Sequence, residues 1–340
     1  MWQSTLRRHI QFALLVILMM GMIGSFSISP LWAAAQSEDG EVLAYILNRE
    51  SNEVSILDVS DDSILGKIPV GNMPSGMALT PDGSFLYVSN SASRSVSIVD
   101  LEVNEEIGRI STSFDPNSLL ITPDGLRMYL TATESSQVQI IDLQRNVVET
   151  SFILPGEPTR LAITPDGEKL YVSNRITNEV YVIRTDTNSV IKTIPVGNSP
   201  RGVEITPDGE KLYVMNRESD NISVISTLTD SVISTFDSGG RTPVRGEISP
   251  DGQWLYVSNF TSNTISIIDT ARDVVIIQVQ VGLDPSGISF TPDGSRAYVV
   301  HRTSDDVYVI DSSTQMTIGQ PFPTGGRFPV HIVMKGGEGI

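Results

Sequence analysis

Thr80-Pro81-Asp82-Gly83-Ser84-Phe85-Leu86-Tyr87-Val88-Ser89-Asn90 is the stretch on which the fold turns, because the chain repeats it at a fixed interval. Thr-Pro-Asp-Gly begins again at Thr122, Thr164, Thr206 and Thr291, and Ser249-Pro250-Asp251-Gly252 is a close variant. The successive starts lie 42, 42, 42, 43 and 42 residues apart. Four residues beyond each glycine a tyrosine opens a Tyr-Val-Ser-Asn-like run, at Tyr87, Tyr129, Tyr171, Tyr213, Tyr256 and Tyr298, and Tyr45 opens a seventh. A third element, of the Val-Ser-Ile-Val-Asp type, recurs in step from Val54–Asp58 to Val307–Asp311. Three motifs held in one register are the mark of a repeat architecture.

Each repeat reads as four short strands. The first follows a proline, as in Pro74-Ser75-Gly76-Met77-Ala78-Leu79. Pro-Asp-Gly then turns the chain: proline presets φ, aspartate bonds nearby backbone and glycine accepts a positive φ. The Tyr-Val-Ser-Asn strand returns, a polar loop leads to the third strand, and a fourth runs to a Val-Gly such as Val70-Gly71. Repeated four-stranded units of this length predict propeller blades. The chain enters at Tyr45 without the proline-led strand that should precede it. That strand stands at the other end, where Gly326-Arg327-Phe328-Pro329-Val330-His331-Ile332-Val333-Met334 aligns with Gly71 to Leu79. The expectation is therefore an all-β, seven-bladed propeller of four-stranded antiparallel blades, closed by its C-terminal strand pairing into the first blade. Closure would cover both open sheet edges.

These motifs resemble the YVTN β-propeller repeat family, over about residues 40–334. The resemblance implies seven blades and an exported or cell-surface location; the motifs are structural and imply little about activity. Tyr129-Leu130-Thr131-Ala132, Arg184, Ser226 and His301 depart from the pattern without threatening the fold.

The first 35 residues read differently. Arg7, Arg8 and His9 precede an almost wholly apolar run from Ile10 to Phe26, and Ala33-Ala34-Ala35 stands before Gln36. That order predicts a secretory signal peptide over 1–35, a single propeller domain over 36–340, export to the periplasm, medium or cell surface, and no stable membrane insertion after cleavage. Without Arg7 and Arg8, 21 of the 23 basic residues face 40 acidic ones, a net charge of −19. This excludes nucleic acid as a general partner and favours a monomer that repels its own copies. The absence of cysteine excludes disulfides, thiolate zinc sites and covalently attached haem.

In a propeller the loops between blades share one face with the loops after each second strand, around the mouth of the axial channel. Of 16 arginines beyond the leader, 10 fall on that face: Arg49, Arg94, Arg160, Arg175, Arg201, Arg217, Arg241, Arg245, Arg302 and Arg327. Arginine's planar fork suits carboxylate or phosphate. Glu50, Asp115, Glu157, Asp284 and other acids share the loops, so the expectation for the outer ones is exposed ion pairing. On the innermost strand, where most residues are small, Arg160, Glu204, Arg245 and Glu247 break the rule on three consecutive blades, with Arg201 adjoining. Charges in so crowded a place need partners. Either they form a buried ion-pair network or they line one side of a ligand pocket. His301 and His331 sit on blades adjacent across the closure, where they could approach one another.

The chain has no nucleophile elbow, phosphate loop or calcium loop, and neither a metal nor a cofactor is expected. The leading reading is a non-catalytic binding or surface scaffold that holds a protein, a glycan or a small anionic ligand on the loop face. The alternative is a periplasmic or secreted lactonase-like hydrolase or lyase, acting at the channel mouth through His301 or His331 with Glu204 or Glu247. Closure by the last strand is testable at once. Removing residues from Phe328 onward should abolish stable folding, and a truncated chain that melts like the intact one would refute it.

Overall fold

A computed structural model describes residues 42–132 and 134–336; the proposed leader lies outside them. Every regular element among the described residues is a strand, and the strands form seven four-stranded antiparallel sheets. The first blade is β1 (Leu43–Asn48), β2 (Glu53–Asp58) and β3 (Ser63–Pro69), with β28 (Pro329–Lys335) on the inner side of β1. Leu43 pairs with Lys335 and Leu47 with His331, so the last strand closes the ring as expected. Residues 74–111 (β4–β7), 118–153 (β8–β11), 158–195 (β12–β15), 200–237 (β16–β19), 243–280 (β20–β23) and 285–323 (β24–β27) supply the other six blades.

The repeated tyrosine joins neighbouring blades. Tyr87 is buried, and its hydroxyl donates to Asn146 Oδ1 of the next blade at 2.8 Å. The same bond runs from Tyr45 to Asn104 (3.2 Å), Tyr129 to Asn188 (2.9 Å), Tyr171 to Asp230 (2.5 Å) and Tyr213 to Asp273 (2.6 Å). Tyr298 completes the circle across the closure, onto Asp62 at 2.8 Å. Each acceptor occupies the same turn between third and fourth strands, and each has a left-handed backbone with φ from 49° to 61°. Asn and Asp tolerate that conformation best among residues bearing a Cβ. One residue type thus satisfies the turn and supplies the acceptor. Blade seven departs: Gln315 holds the turn at φ 56° and Tyr256 Oη finds no partner in hydrogen-bonding geometry, although Ser312 lies near.

A second contact locks each blade to the loop that enters it. Asn90 is fully buried, and its Nδ2 donates to Ser97 Oγ at 2.8 Å. A Cβ on Gly71 would lie 2.5 Å from Asn90 Cγ, and one on Gly240 would lie 2.4 Å from Asn259 Cγ. The Val-Gly glycine is therefore a close-approach residue, which the asparagine requires. Blade three shows the rule from the other side: Ala132 replaces the asparagine, and Ser113 stands nineteen residues earlier in place of glycine, bonded by Gln139 Nε2 at 3.1 Å. The Pro-Asp-Gly aspartates serve geometry. Thr80 Oγ1 donates to Asp82 Oδ1 at 2.5 Å, and that oxygen also accepts the Ser84 amide, so both bonds hold the carboxyl below its ordinary range.

The innermost strands pack in a ring from β28 through β4, β8, β12, β16, β20 and β24 back to β28. Six of the seven carry a register shift at the proline-led end, for example between Pro74 and Gly76 and between Pro243 and Arg245. Such bulges re-aim side chains at a sheet's rim. The broken blade-seven latch gives a test: Gln315→Asn should place an acceptor under Tyr256 and suit the left-handed turn. It should raise unfolding stability in a denaturant melt by about 1 kcal/mol; no gain would show that the missing bond costs nothing.

Candidate functional site

The residues singled out on the inner strands converge on the channel. Arg160 on β12 (Pro158–Ile163), Glu204 on β16 (Pro200–Ile205), Glu247 on β20 (Pro243–Ile248) and His331 on β28 are half-buried, and Arg245 on β20 retains only 6% of its surface. Among the described residues no ion pair within 4.0 Å joins these charges, so the expected network of direct pairs does not form. Arg160 Nη1 reaches Ser118 Oγ at 3.4 Å, and Arg245 Nη2 is buried without a partner. A guanidinium nitrogen left unpaired in a desolvated place is costly.

Glu204 and Glu247 occupy equivalent positions on adjacent inner strands. Burial raises both, and for Glu204 the neighbouring Glu247 adds to it; Arg245 opposes the rise in each, helped at Glu204 by Arg160. Glu247 is pushed up to about 7. Both carboxyls are therefore held toward the protonated form, and the charge on one bears on the other. His331 Nδ1 accepts the Met77 amide at 3.2 Å, so a neutral ring carries its proton on Nε2. Burial first, then repulsion by Arg245 and Arg160, holds this imidazole well below the ordinary histidine range and keeps it neutral.

His301 plays a different part. It is fully buried at the asparagine position of blade seven, its Nδ1 lies 2.9 Å from Asp306 Oδ1, and its ring meets Tyr308 edge-on at 4.9 Å. A Cβ on Gly282 would lie 2.8 Å from His301 Cγ. It therefore takes over the packing role of the buried asparagines. The structure engages the two histidines separately, His301 with Asp306 and His331 with the channel.

Around the mouth stands a further set of arginines. Arg201 is pushed down to about 10 by burial and then by Arg217, Arg175 and Arg49. Arg302 is pushed down to about 9 by burial and by Arg201, Arg160 and Arg49, with Asp284 opposing; its guanidinium lies 5.4 Å from the Phe260 ring centre and 5.8 Å from that of Phe328, and Nε donates to Ser286 Oγ at 3.1 Å. Loop arginines do form the expected pairs, as Arg94–Asp115 (2.6 Å) and Arg327–Glu50 (3.3 Å), and Arg175, level with Arg49 and Arg217, pairs with Glu157. Arg49, Arg217 and Arg302 had not stood out in sequence from the other loop arginines. The signal was there: Arg49, Arg175 and Arg217 each follow the strand-ending asparagine, and Arg302 follows His301 in its place.

With this geometry, the chain can do three things: bind an anion, hold or release a proton beside it, and present a neutral imidazole N–H. Comparison with known proteins bears on the choice. No curated protein matches the sequence. Among solved structures, the hydrazine synthase of Kuenenia stuttgartiensis superposes with a TM-score of 0.73 at 23% identity, over 85% of this chain and 99% of that one. A protein of unknown function from Desulfotomaculum acetoxidans gives 0.77 at 15% identity, over 87% and 99%. A protein described as a putative 6-phosphogluconolactonase from Bacteroides fragilis gives 0.75 at 18% identity, over 87% and 98%. At these identities the likeness is one of fold. The sequence model of the seven-bladed β-propeller lactonases matches residues 32–118 and 116–231, more than half of the chain. With seven closed blades around an arginine-lined channel, the chain belongs to the seven-bladed β-propeller lactonase family.

Proposed function

We propose that this chain is an exported, lactonase-like hydrolase that opens a small anionic lactone or ester in the axial channel. The observation that carries the reading is Arg245, a guanidinium nine-tenths buried with Nη2 unpartnered, in electrostatic contact with two carboxyls that burial raises above their ordinary range. A display scaffold needs no such arrangement, and family membership supports the enzymatic reading over the scaffold. The leader over residues 1–35 supports export.

The proposed step uses groups of the channel alone. Arg160 and Arg245 hold the substrate's anionic group. The ionised member of the Glu204–Glu247 pair takes a proton from water, whose oxygen attacks the lactone carbonyl carbon. His331 Nε2–H, neutral and oriented by the Met77 amide, donates to the oxyanion as charge develops there. The acyl C–O bond then breaks, and the protonated carboxyl returns its proton to the leaving oxygen, giving a hydroxy acid. A base with a pKa near 7 suits this work at neutral pH.

The carboxyl must be ionised to act, so hydrolysis of an anionic lactone panel should rise with pH through about 7. Glu247→Gln should lower kcat/KM by about 100-fold or more and remove that limb. Stability should run the opposite way: a carboxyl raised in the folded state contributes stability that is lost as pH rises through its folded value. The melting temperature of the wild type should thus fall as pH rises from about 4.5 to about 7, and Glu247→Gln should flatten the fall. Absence of turnover across the panel, with anions still bound, would return the chain to a non-catalytic binder.

A further inference from the structure

The face opposite the mouth carries a cleft that the channel chemistry does not use. Blades five and six part there around a volume of about 550 Å³, which is in the range of small-molecule sites. The Pro-Asp-Gly turns of the two blades bring Asp208, Glu210, Lys211 and Asp251 to it, and the turn after the third strand of blade six brings Asp269. The half-buried indole of Trp254 forms its aromatic wall.

Trp254 is a departure from the repeat. Two residues after the Pro-Asp-Gly glycine, blades three, four, five and seven carry a cation, as Arg127, Lys169, Lys211 and Arg296. In blades four and five that lysine crosses to the next blade, where Nζ pairs with Asp230 at 2.8 Å and with Asp273 at 3.0 Å. Blade six has an indole in that place, so no side-chain cation of its own stands there. Lys211 is engaged by Asp273, and Asp269 pairs with Arg272 at 3.2 Å. Asp208, Glu210 and Asp251 make no ion pair within 4.0 Å among the described residues. Asp208 and Asp251 hold their own turns through Oδ1 and leave Oδ2 free. The Thr206 hydroxyl and the Glu210 amide keep the Asp208 carboxyl below its ordinary range, hence ionised.

We propose that this cleft is a binding site for a quaternary ammonium ion, with the cation against the indole of Trp254 and the carboxylates of Asp208, Glu210 and Asp251 around it. The volume and the aromatic wall make it a site; the carboxylates set the sign of the ligand. An anion is repelled there. A bare metal ion does not suit it either, since no three His, Asp or Glu side chains among the described residues are grouped to hold one. Carboxylates spread around a ring favour a large cation with diffuse charge and no N–H to satisfy, and an aromatic face attracts such a cation by its quadrupole. The site stands on the other face from the mouth, so it does not rest on the hydrolytic reading.

Choline and its uncharged carbon analogue dimethylbutanol share a shape and differ in charge. Titration calorimetry of the full chain should show choline binding at least about tenfold tighter than the alcohol, equivalent to about 1.4 kcal/mol. Trp254 is the one tryptophan among the described residues, so its emission should change as choline binds. Trp254→Lys, which restores the residue of blades four and five, should abolish choline binding with the melting temperature kept. Glu210→Gln, at an exposed turn position, should weaken choline severalfold and leave the alcohol unchanged; it decides the matter should Trp254→Lys fold poorly. Equal affinities for the two ligands would overturn the cation assignment. Absence of choline binding, or binding that both variants leave intact, would overturn the site, whatever the channel is found to do.

Discussion

The bond from a buried tyrosine hydroxyl to a left-handed Asn or Asp of the next blade is the contact on which the ring depends. Sheets in a propeller meet face to face through apolar side chains, and apolar packing is indifferent to small sliding motions. A directional hydrogen bond at the buried end of that face is not. Six such bonds set the rotation between blades, and the asparagine–glycine contact fixes each incoming loop against its strand. The tyrosine bonds hold the face opposite the mouth and the asparagine–glycine contacts hold the mouth itself, so the rim is fixed from both ends of each blade.

The mouth uses that rigidity. Flexible arginines brought together would swing apart into solvent or find one of the many acids nearby. Here Arg302 is packed by Phe260 and Phe328, and Arg160 and Arg245 are confined by inner strands on neighbouring blades. They make no direct ion pair because the frame around them does not yield, and carboxylates act on them only at a distance. Preorganised charge of this kind binds without reorganising at the moment of contact. The same confinement raises the Glu204–Glu247 pair, so one constraint tunes cation and carboxyl alike.

The fold was legible because the repeat is written in three motifs at once, and the missing first strand of blade one had a visible counterpart at Pro329. Arg160, Glu204, Arg245 and Glu247 were legible as charges where small residues were due. Their relations were not. Sequence placed them on neighbouring strands but could not say whether they pair or stand apart, because that turns on side-chain reach across a channel. His301 was legible as an exception to the repeat, and its ring fills an asparagine's place against Gly282. The partner of each tyrosine was hidden by distance, since the acceptor lies fifty-nine or sixty residues ahead for five of them and 236 residues back for Tyr298.

β28 does more than seal the ring. It carries His331 into the channel and pairs with a strand nearly three hundred residues earlier in the chain. Contacts of such long separation form slowly, since the loop they close must be ordered first. The channel's imidazole is therefore in place only after the final residues have been made and have found the start. A half-synthesised or unthreaded chain has several blades but lacks one of the groups on which its chemistry is proposed to rest. Activity would then appear only once the ring has closed.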